Sequence, residues 1–231
     1  MYNYTVKYTY MQIFSNGCSF LTPRPKDNVD TYVSKIIAEG YGTDLHNIAM
    51  GGRGNKRINF TTKWWFEAHK PKDTFAIIGW SSQLRNDYIT NDGWKAGRID
   101  DTELTWRTWK TTDKLKFITS NKGWDVEKNI MMDFLENVFN LQNYFKLNKI
   151  PYVMYNALPN HVDDTVSDFT SIKKAIDMDR FFKPSTSHFE FIQQKNYVVS
   201  PDDPHPSMEG HGLWAKQLME FIDVNNLRSS Q

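Results

Sequence analysis

The sequence predicts an α/β protein, a three-layer α/β/α sandwich with a mainly parallel central sheet, and three observations lead to this prediction. Short apolar segments typical of buried strands recur along the chain, and Thr74 to Gly79 (TFAIIG) is the clearest of them. Segments with helical spacing of apolar residues lie between them, and the alternation of strand and helix favours parallel strands with helices on both faces of the sheet. The length of 231 residues suits one such domain.

The individual elements are predicted from apolar runs, helical periodicity and the glycine or proline residues that end them. Residues 30–39, for example, place Tyr32, Val33, Ile36 and Ile37 on one helical face. The predicted strands are residues 12–15, 45–49, 74–79 and 150–155, and the predicted helices are residues 30–39, 55–69, 129–147 and 209–224.

Two stretches depart from this alternation and are predicted as insertions, approximately at residues 87–125 and 160–199. The first is polar and rich in tryptophan, and the second mixes charged residues with phenylalanines. Long connections of this kind are usually lids or binding elements. We therefore expect a single domain over residues 1–231 with two functional insertions.

Composition and charge exclude several classes of function. The formal net charge is +1, which lacks the basic surplus that nucleic-acid binding needs. No apolar run approaches the roughly 20 residues needed to span a bilayer, and Met1 to Tyr10 lacks the apolar core of a signal peptide. We expect a soluble, cytoplasmic protein with no nucleic-acid or membrane partner. Cys18 is the single cysteine, so no intrachain disulfide can form.

Ser19 is the first candidate for chemistry, because it follows the first predicted strand in the sequence Asn16-Gly17-Cys18-Ser19. A serine on such a turn exposes its hydroxyl at the carboxyl edge of a parallel sheet. The start of the next helix there offers backbone N–H groups to a developing oxyanion. The competing interpretation is a serine that only caps a turn.

The second candidate is the segment Asp202-Asp203-Pro204-His205-Pro206 near the end of the chain. An aspartate three residues before a histidine can accept a hydrogen bond from imidazole Nδ1, which leaves Nε2 to take a proton from a serine. This spacing predicts Asp202 and His205 as the partners of Ser19. A plain surface loop rich in aspartate and proline is the competing interpretation.

A third motif is the glycine-containing turn that follows the second predicted strand, from Asn47 to Asn55. Glycines let the backbone approach a ligand closely and present its N–H groups. The spacing of these glycines matches neither the phosphate-binding loop nor the dinucleotide-binding fingerprint. A strand-to-helix turn without a ligand remains the alternative.

In this order, the three motifs resemble the SGNH (GDSL-like) hydrolase superfamily. The matching residues are Gly17, Cys18 and Ser19 in the first block, Asn47 and Gly52 in the second, and Asp202 and His205 in the last. The resemblance implies a flavodoxin-like sandwich and a serine hydrolase that uses no cofactor. It also implies that Ser19 and Gly52 supply backbone N–H groups to the oxyanion hole, and that Cys18 replaces an aspartate of local structural importance.

The chain departs from the family in the third block, where an asparagine should follow the TFAII strand. Gly79-Trp80-Ser81-Ser82 stands there instead, followed by Arg85. The form Trp-Ser-Ser-x-x-Arg resembles the variant found in tailed phages. Ser81 falls on the asparagine position, so the resemblance implies that its hydroxyl is an oxyanion donor. Loss of one good donor costs about 100- to 1000-fold in turnover.

Basic and aromatic side chains near these motifs are candidates for substrate binding. Arg53 and Arg85 would form a basic rim beside Ser19, and Trp80 would stack on a sugar ring, although a solvated helix face explains Arg53 equally well. Packing in the core or at a subunit interface is the alternative for the tryptophans. No histidine or cysteine pair has metal-ligand spacing, so no metal site is predicted.

Two hypotheses of function follow. The first is a serine esterase of SGNH type that removes O-acyl groups, such as acetyl, from a polysaccharide or a similar ester. The alternative is a non-catalytic protein of the same fold that binds carbohydrate or forms part of a virion, and either hypothesis is compatible with a homo-oligomer. A contact between Ser19 and His205 in the folded protein would favour the first.

Overall fold

The structure is a computed structural model, which describes residues 11–91, 93–99, 106–108, 126–160 and 170–229. The strands are β1 (Gln12–Gly17), β2 (Leu45–Asn47), β3 (Thr74–Trp80), β4 (Arg85–Thr90), β5 (Gly93–Ile99), β6 (Trp106–Thr108), β7 (Tyr152–Asn156), β8 (Phe181–Phe182), β9 (Val198–Ser200) and β10 (Asp203–Pro206). The helices are α1 (Val33–Tyr41), α2 (Asn55–His69), α3 (Val126–Leu147), α4 (Thr170–Ala175), α5 (His188–Lys195) and α6 (Met208–Val224).

Five parallel strands form the central sheet in the order β2-β1-β3-β7-β8. β1 and β3 lie in the middle and pair over six residues, from Gln12 opposite Thr74 to Gly17 opposite Gly79. Because the strands are parallel, their carboxyl ends meet at one edge of the sheet. The chain turns that follow β1, β2 and β3 therefore lie close together.

Helices cover both faces of this sheet, and the alternation of side chains along each strand separates two cores. Ile13, Phe75 and Ile77 face a core that α1 and α6 share, which includes Trp214. The opposite face packs against α2 and α3. This second core includes Phe14 and Ile78 of the sheet, Phe66 of α2, and Leu135 and Leu141 of α3. This arrangement confirms the predicted α/β/α sandwich with its mainly parallel sheet.

The two predicted insertions differ in how they join the domain. In the first, β4, β5 and β6 form a separate antiparallel sheet, and β4 lies against α2. In the second, the short strand β8 pairs with β7 and completes the central sheet, so this stretch belongs in part to the main fold. Residues 100–105, 109–125 and 161–169 lie outside the described ranges.

None of the helices in the described ranges is long and apolar enough to cross a membrane. The segment for which we predicted no signal peptide, residues 1–10, falls outside those ranges.

Candidate active site

Ser19 is the first residue of a short 3-10 turn, Ser19–Leu21, that begins where β1 ends. The tight passage from strand to turn requires glycine at position 17, because a Cβ there would lie 2.7 Å from the carbonyl oxygen of Gly79 and 2.8 Å from Leu21 Cδ1. Cys18 is fully buried beneath the turn, while Ser19 keeps part of its surface exposed. The serine hydroxyl thus stands at the carboxyl edge of the sheet.

His205 reaches this serine from the other end of the chain. Its Nε2 lies 3.0 Å from Ser19 Oγ, and its Nδ1 lies 2.6 Å from Asp203 Oδ1. The ring also packs against Phe20, with 5.4 Å between the ring centroids. When Nδ1 carries the ring proton and donates a hydrogen bond to the carboxylate, Nε2 can accept a hydrogen bond from the serine hydroxyl. The three side chains thus form a continuous chain of hydrogen bonds, in which Nε2 can take a proton from the serine hydroxyl.

The aspartate in this arrangement is Asp203, so the prediction that Asp202 orients the histidine is wrong. Asp202 lies exposed in the turn between β9 and β10. Asp203 begins β10, and its Oδ1 accepts from the backbone N–H of His205 at 3.1 Å as well as from the ring. This local contact holds the carboxylate under the imidazole, which a spacing of three residues does not do here.

Arg24 binds the same carboxylate. Its Nη2 donates to Asp203 Oδ2, and its Nε donates to Asp27 Oδ2 at 2.7 Å. Arg24 therefore connects the turn after β1 to the β9–β10 hairpin. Arg24 was missed because nothing in the local pattern shows that residues 179 positions apart form an ion pair, and Asp203 was missed because the expected spacing of three residues selected Asp202 instead.

The electrostatics of the site favour a neutral imidazole. Partial burial lowers the pKa of His205, the charges of Arg24 and Arg85 lower it further, and the hydrogen bond with Asp203 opposes them. Partial burial by itself raises the pKa of Asp203, but the hydrogen bonds from His205 and the charge of Arg24 outweigh it, so the net shift is downward. At neutral pH the pair is a free base beside a carboxylate, which is the state that can accept a proton from Ser19.

The glycine turn after β2 lies beside Ser19. A Cβ on Gly51 would lie 3.8 Å from Ser19 Cβ, and Gly52 adopts a φ of +78°, a conformation that favours glycine. The side chain of Asn47 donates to the carbonyl of Leu21 at 2.7 Å and so ties this turn to the serine turn. In the described part of the chain, the N–H groups of Ser19 and Gly52 donate to no protein acceptor. Their role as oxyanion donors stays a prediction.

Trp80 and Ser81 do not line this site, contrary to the prediction. β3 extends through Trp80, and the alternation of the strand turns its ring into the core between the sheet and α3, where it contacts Phe134. Ser81 has 0% exposure, and its Oγ accepts from Arg85 Nη1 at 3.3 Å. A hydroxyl without exposed surface cannot reach a substrate oxygen, and a buried ring cannot stack on a sugar.

Asn55, the first residue of α2, explains the position of Ser81. Its Nδ2 donates to the Ser81 carbonyl at 2.9 Å, and its Oδ1 accepts from the Ser81 N–H at 2.8 Å. These two bonds satisfy a backbone that would otherwise be buried without partners. The chain after β3 is thereby held against the start of α2, and Ser81 with it.

The two arginines predicted to bind substrate differ in their exposure. Arg53 is 7% exposed, and its Nη1 donates to Asn16 Oδ1 at 3.1 Å and to the carbonyl of Ile48 at 2.6 Å. Burial, with the nearby charge of Arg57, lowers the pKa of Arg53 to about 10. The prediction for Arg53 is therefore wrong, because its guanidinium supports the turn from within. Arg85 stays partly exposed and close enough to His205 to affect its pKa.

Within the described ranges, no group of three or more histidine, cysteine, aspartate or glutamate side chains is arranged to hold a metal ion.

Comparisons with known proteins find similarity in structure alone, since neither a family model nor a curated protein sequence matches the chain. The psychrotrophic esterase EstA from Pseudoalteromonas sp. is 13% identical, with 92% of this chain and 97% of that one covered and a TM-score of 0.51. The acetylxylan esterase Axe2 from Geobacillus stearothermophilus is 14% identical, with 92% and 94% covered and a TM-score of 0.49. A GDSL-like lipase from Bacteroides thetaiotaomicron is 12% identical, with 93% and 89% covered and a TM-score of 0.46.

At these identities the comparisons show the fold alone. The α/β sandwich described above is similar to the fold of the esterase EstA.

Proposed function

We propose that this protein is a serine ester hydrolase of SGNH type. The observation that carries the proposal is the geometry of three side chains: Ser19 Oγ lies 3.0 Å from His205 Nε2, and Asp203 Oδ1 lies 2.6 Å from His205 Nδ1. These atoms come from segments 186 positions apart in the sequence. A protein with only a structural role would have no need to bring them into this order.

The reaction follows from this geometry. Ser19 Oγ attacks the carbonyl carbon of an ester, while its proton passes to His205 Nε2 and Asp203 stabilises the imidazolium that forms. The N–H groups of Ser19 and Gly52 hold the negative oxygen of the tetrahedral intermediate. The C–O bond to the alcohol then breaks, and the imidazolium gives its proton to the departing alkoxide. The acyl group stays on Ser19 as an ester. A water molecule, deprotonated by the same imidazole, then releases the carboxylic acid and restores the serine.

We propose O-acyl groups on a carbohydrate as the substrate, and small acyl groups such as acetyl in particular. The family resemblance of the three motifs supports an ester, and Arg85 offers a positive charge near the reacting atoms. The contact of Ser19 with His205 favours this proposal over a non-catalytic protein of the same fold. The resemblance to tailed-phage proteins, a place in a virion and an oligomeric state stay predictions from the sequence.

The test is the hydrolysis of p-nitrophenyl acetate by the wild type, Ser19→Ala and Ser185→Ala. Ser185 is exposed outside the triad, so its variant controls for the loss of a serine hydroxyl. We expect Ser19→Ala to lower kcat by roughly 1000-fold or more and Ser185→Ala to change it little. A serine-reactive phosphonate should modify Ser19 alone, as read by peptide mass spectrometry. Equal rates in wild type and Ser19→Ala would refute the proposal.

A further inference from the structure

A groove of about 460 Å³ opens between α2, α3 and the β4–β5 hairpin. Phe60 and Lys63 of α2, Asn137 and Asn140 of α3, and Trp94 of the hairpin are among its lining residues. None of these residues takes part in the triad. A cavity of this size suits a ligand of several rings.

The groove begins next to the candidate active site. Arg85 is one of its lining residues, and the charge of Arg85 lowers the pKa of His205. The backbone connects the two sites closely, because a Cβ on Gly54 would lie 2.5 Å from the Arg85 carbonyl oxygen and one on Gly51 would lie 3.8 Å from Ser19 Cβ. A long substrate with an ester at Ser19 can therefore extend past Arg85 into the groove.

Exposed apolar side chains line the groove where a soluble surface would normally be polar. Phe60 is 51% exposed and Ile89 65% exposed. The rings of Phe60 and Trp94 lie 5.5 Å apart at an angle of 53°, and the guanidinium of Arg57 lies 5.9 Å from the centre of the Trp94 ring. Aromatic rings held in this way present flat apolar surface to a ligand at little entropic cost.

Carboxamides supply the polar part of the lining. Asn59 Nδ2 donates to Asn137 Oδ1 at 3.0 Å across the gap between α2 and α3. Asn140 of α3 is exposed and lines the groove as well. Carboxamides both donate and accept hydrogen bonds, as sugar hydroxyls do.

The charges of the lining are mixed, which argues against a polyanion. Lys56, Lys63 and Arg85 stand beside Asp133 and Glu136. A nucleic acid or another highly charged polymer would meet both signs at once, whereas a largely neutral chain of sugar rings would meet flat aromatic surface and carboxamides.

We propose that this groove binds the carbohydrate chain of a polymeric ester whose acyl group reacts at Ser19. The reaction of the acyl group at Ser19 rests on the proposed function. Binding of the carbohydrate chain in the groove does not depend on hydrolysis at Ser19.

The experiment separates binding from turnover. Ser19→Ala is combined in turn with Phe60→Ala, Trp94→Ala and Trp64→Ala, and migration is compared in native gels that contain acetylated xylan, acetylated glucomannan or no polymer. Trp64 is 58% exposed on the same helix but does not line the groove, so its variant controls for the loss of an exposed aromatic ring. Thermal melting verifies that each variant is folded.

We expect a polymer to retard the Ser19→Ala protein, and the Phe60 and Trp94 substitutions to weaken this binding by about tenfold while Trp64→Ala does not. With Ser19 intact, the same two substitutions should lower the ratio of kcat/KM on the acetylated polymer to that on p-nitrophenyl acetate by a similar factor. Absence of retardation in both polymers, or equal effects of all three substitutions, would overturn the proposal.

The possible failures are distinguishable. If Ser19→Ala abolishes ester hydrolysis but the groove substitutions change nothing, the groove proposal falls and the hydrolase stands. If retardation depends on Phe60 and Trp94 while the wild type hydrolyses no ester, the hydrolase proposal falls and the groove stands.

Discussion

Two segments at the carboxyl edge of the sheet carry motifs of the same family resemblance, but they differ in how their side chains are used. In the β9–β10 hairpin, Asp203 and His205 stay partly exposed, and Asp203 binds the ring of His205, whose Nε2 faces Ser19. At the end of β3, Trp80 and Ser81 are fully buried and contact the core and α2. A motif therefore places a residue at the right edge of the sheet without deciding which way its side chain faces.

The physical reason is the environment of each segment. The hairpin is partly exposed, so local bonds such as that from the His205 N–H to Asp203 determine the side-chain geometry. The end of β3 lies between β1 and β7, where every backbone polar group needs a partner inside the protein. Asn55 provides two of these partners to Ser81, and burial of the serine follows.

The largest expected effect separates the two adjacent aspartates of the hairpin. Asp203→Asn should lower kcat on p-nitrophenyl acetate by about 1000- to 10000-fold, because the imidazole loses the carboxylate that orients it and stabilises its charge. Asp202→Asn removes the same charge one residue away and should leave kcat within about threefold, as is usual for an exposed side chain without such a contact. A reversed order of the two effects would show that Asp202 is the acid of the triad.

A smaller effect is expected at Arg24, which joins the hairpin to the serine turn. Arg24→Gln should reduce kcat about tenfold, since Asp203 loses an ion pair that holds it in place. It should also raise the pKa of His205, because a nearby positive charge disfavours the imidazolium. Lys26→Gln, at an exposed neighbouring position, controls for the change in net charge.

The pH dependence of kcat/KM shows in which direction Arg24 shifts the pKa of His205. The pKa of His205 lies below its usual 6.5, so the acid limb of kcat/KM in the wild type should have its midpoint below pH 6.5. In Arg24→Gln that midpoint should move to higher pH, and the same shift should appear in an NMR titration of the His205 Cε1 proton, which does not depend on turnover. Arg24→Lys should restore most of the wild-type midpoint. An unchanged NMR titration in Arg24→Gln would contradict the electrostatic role of Arg24.

The smallest effect is expected at the end of β3. Ser81→Ala should lower kcat less than about tenfold, whereas loss of a true oxyanion donor costs roughly 100- to 1000-fold. The substitution removes one hydroxyl that accepts from Arg85 and leaves both bonds of Asn55 to the backbone intact. A loss above 100-fold without a change in melting temperature would show that the Ser81 hydroxyl turns toward the substrate during the reaction.

Several features of the protein followed from the sequence by itself. Apolar runs such as Thr74 to Gly79 and the helical spacing of residues 30–39 correctly indicated an α/β sandwich, because burial on both faces of a parallel sheet leaves a periodic record in the chain. The order of the motifs also singled out Ser19 and His205, which the structure brings together. A parallel sheet gathers the ends of its strands at one edge, so the order of motifs along the chain indicates their proximity.

The tertiary structure decided everything that depends on side-chain direction and on long-range partners. It alone distinguishes Asp203 from Asp202, turns Trp80 and Arg53 inward, and pairs Arg24 with Asp203 across the molecule. A shift of one residue along a strand reverses the face on which a side chain lies, and an ion pair between distant segments leaves no local pattern. The position of Ser19 at the edge of the sheet was thus predictable, whereas the residues that assist it depend on packing.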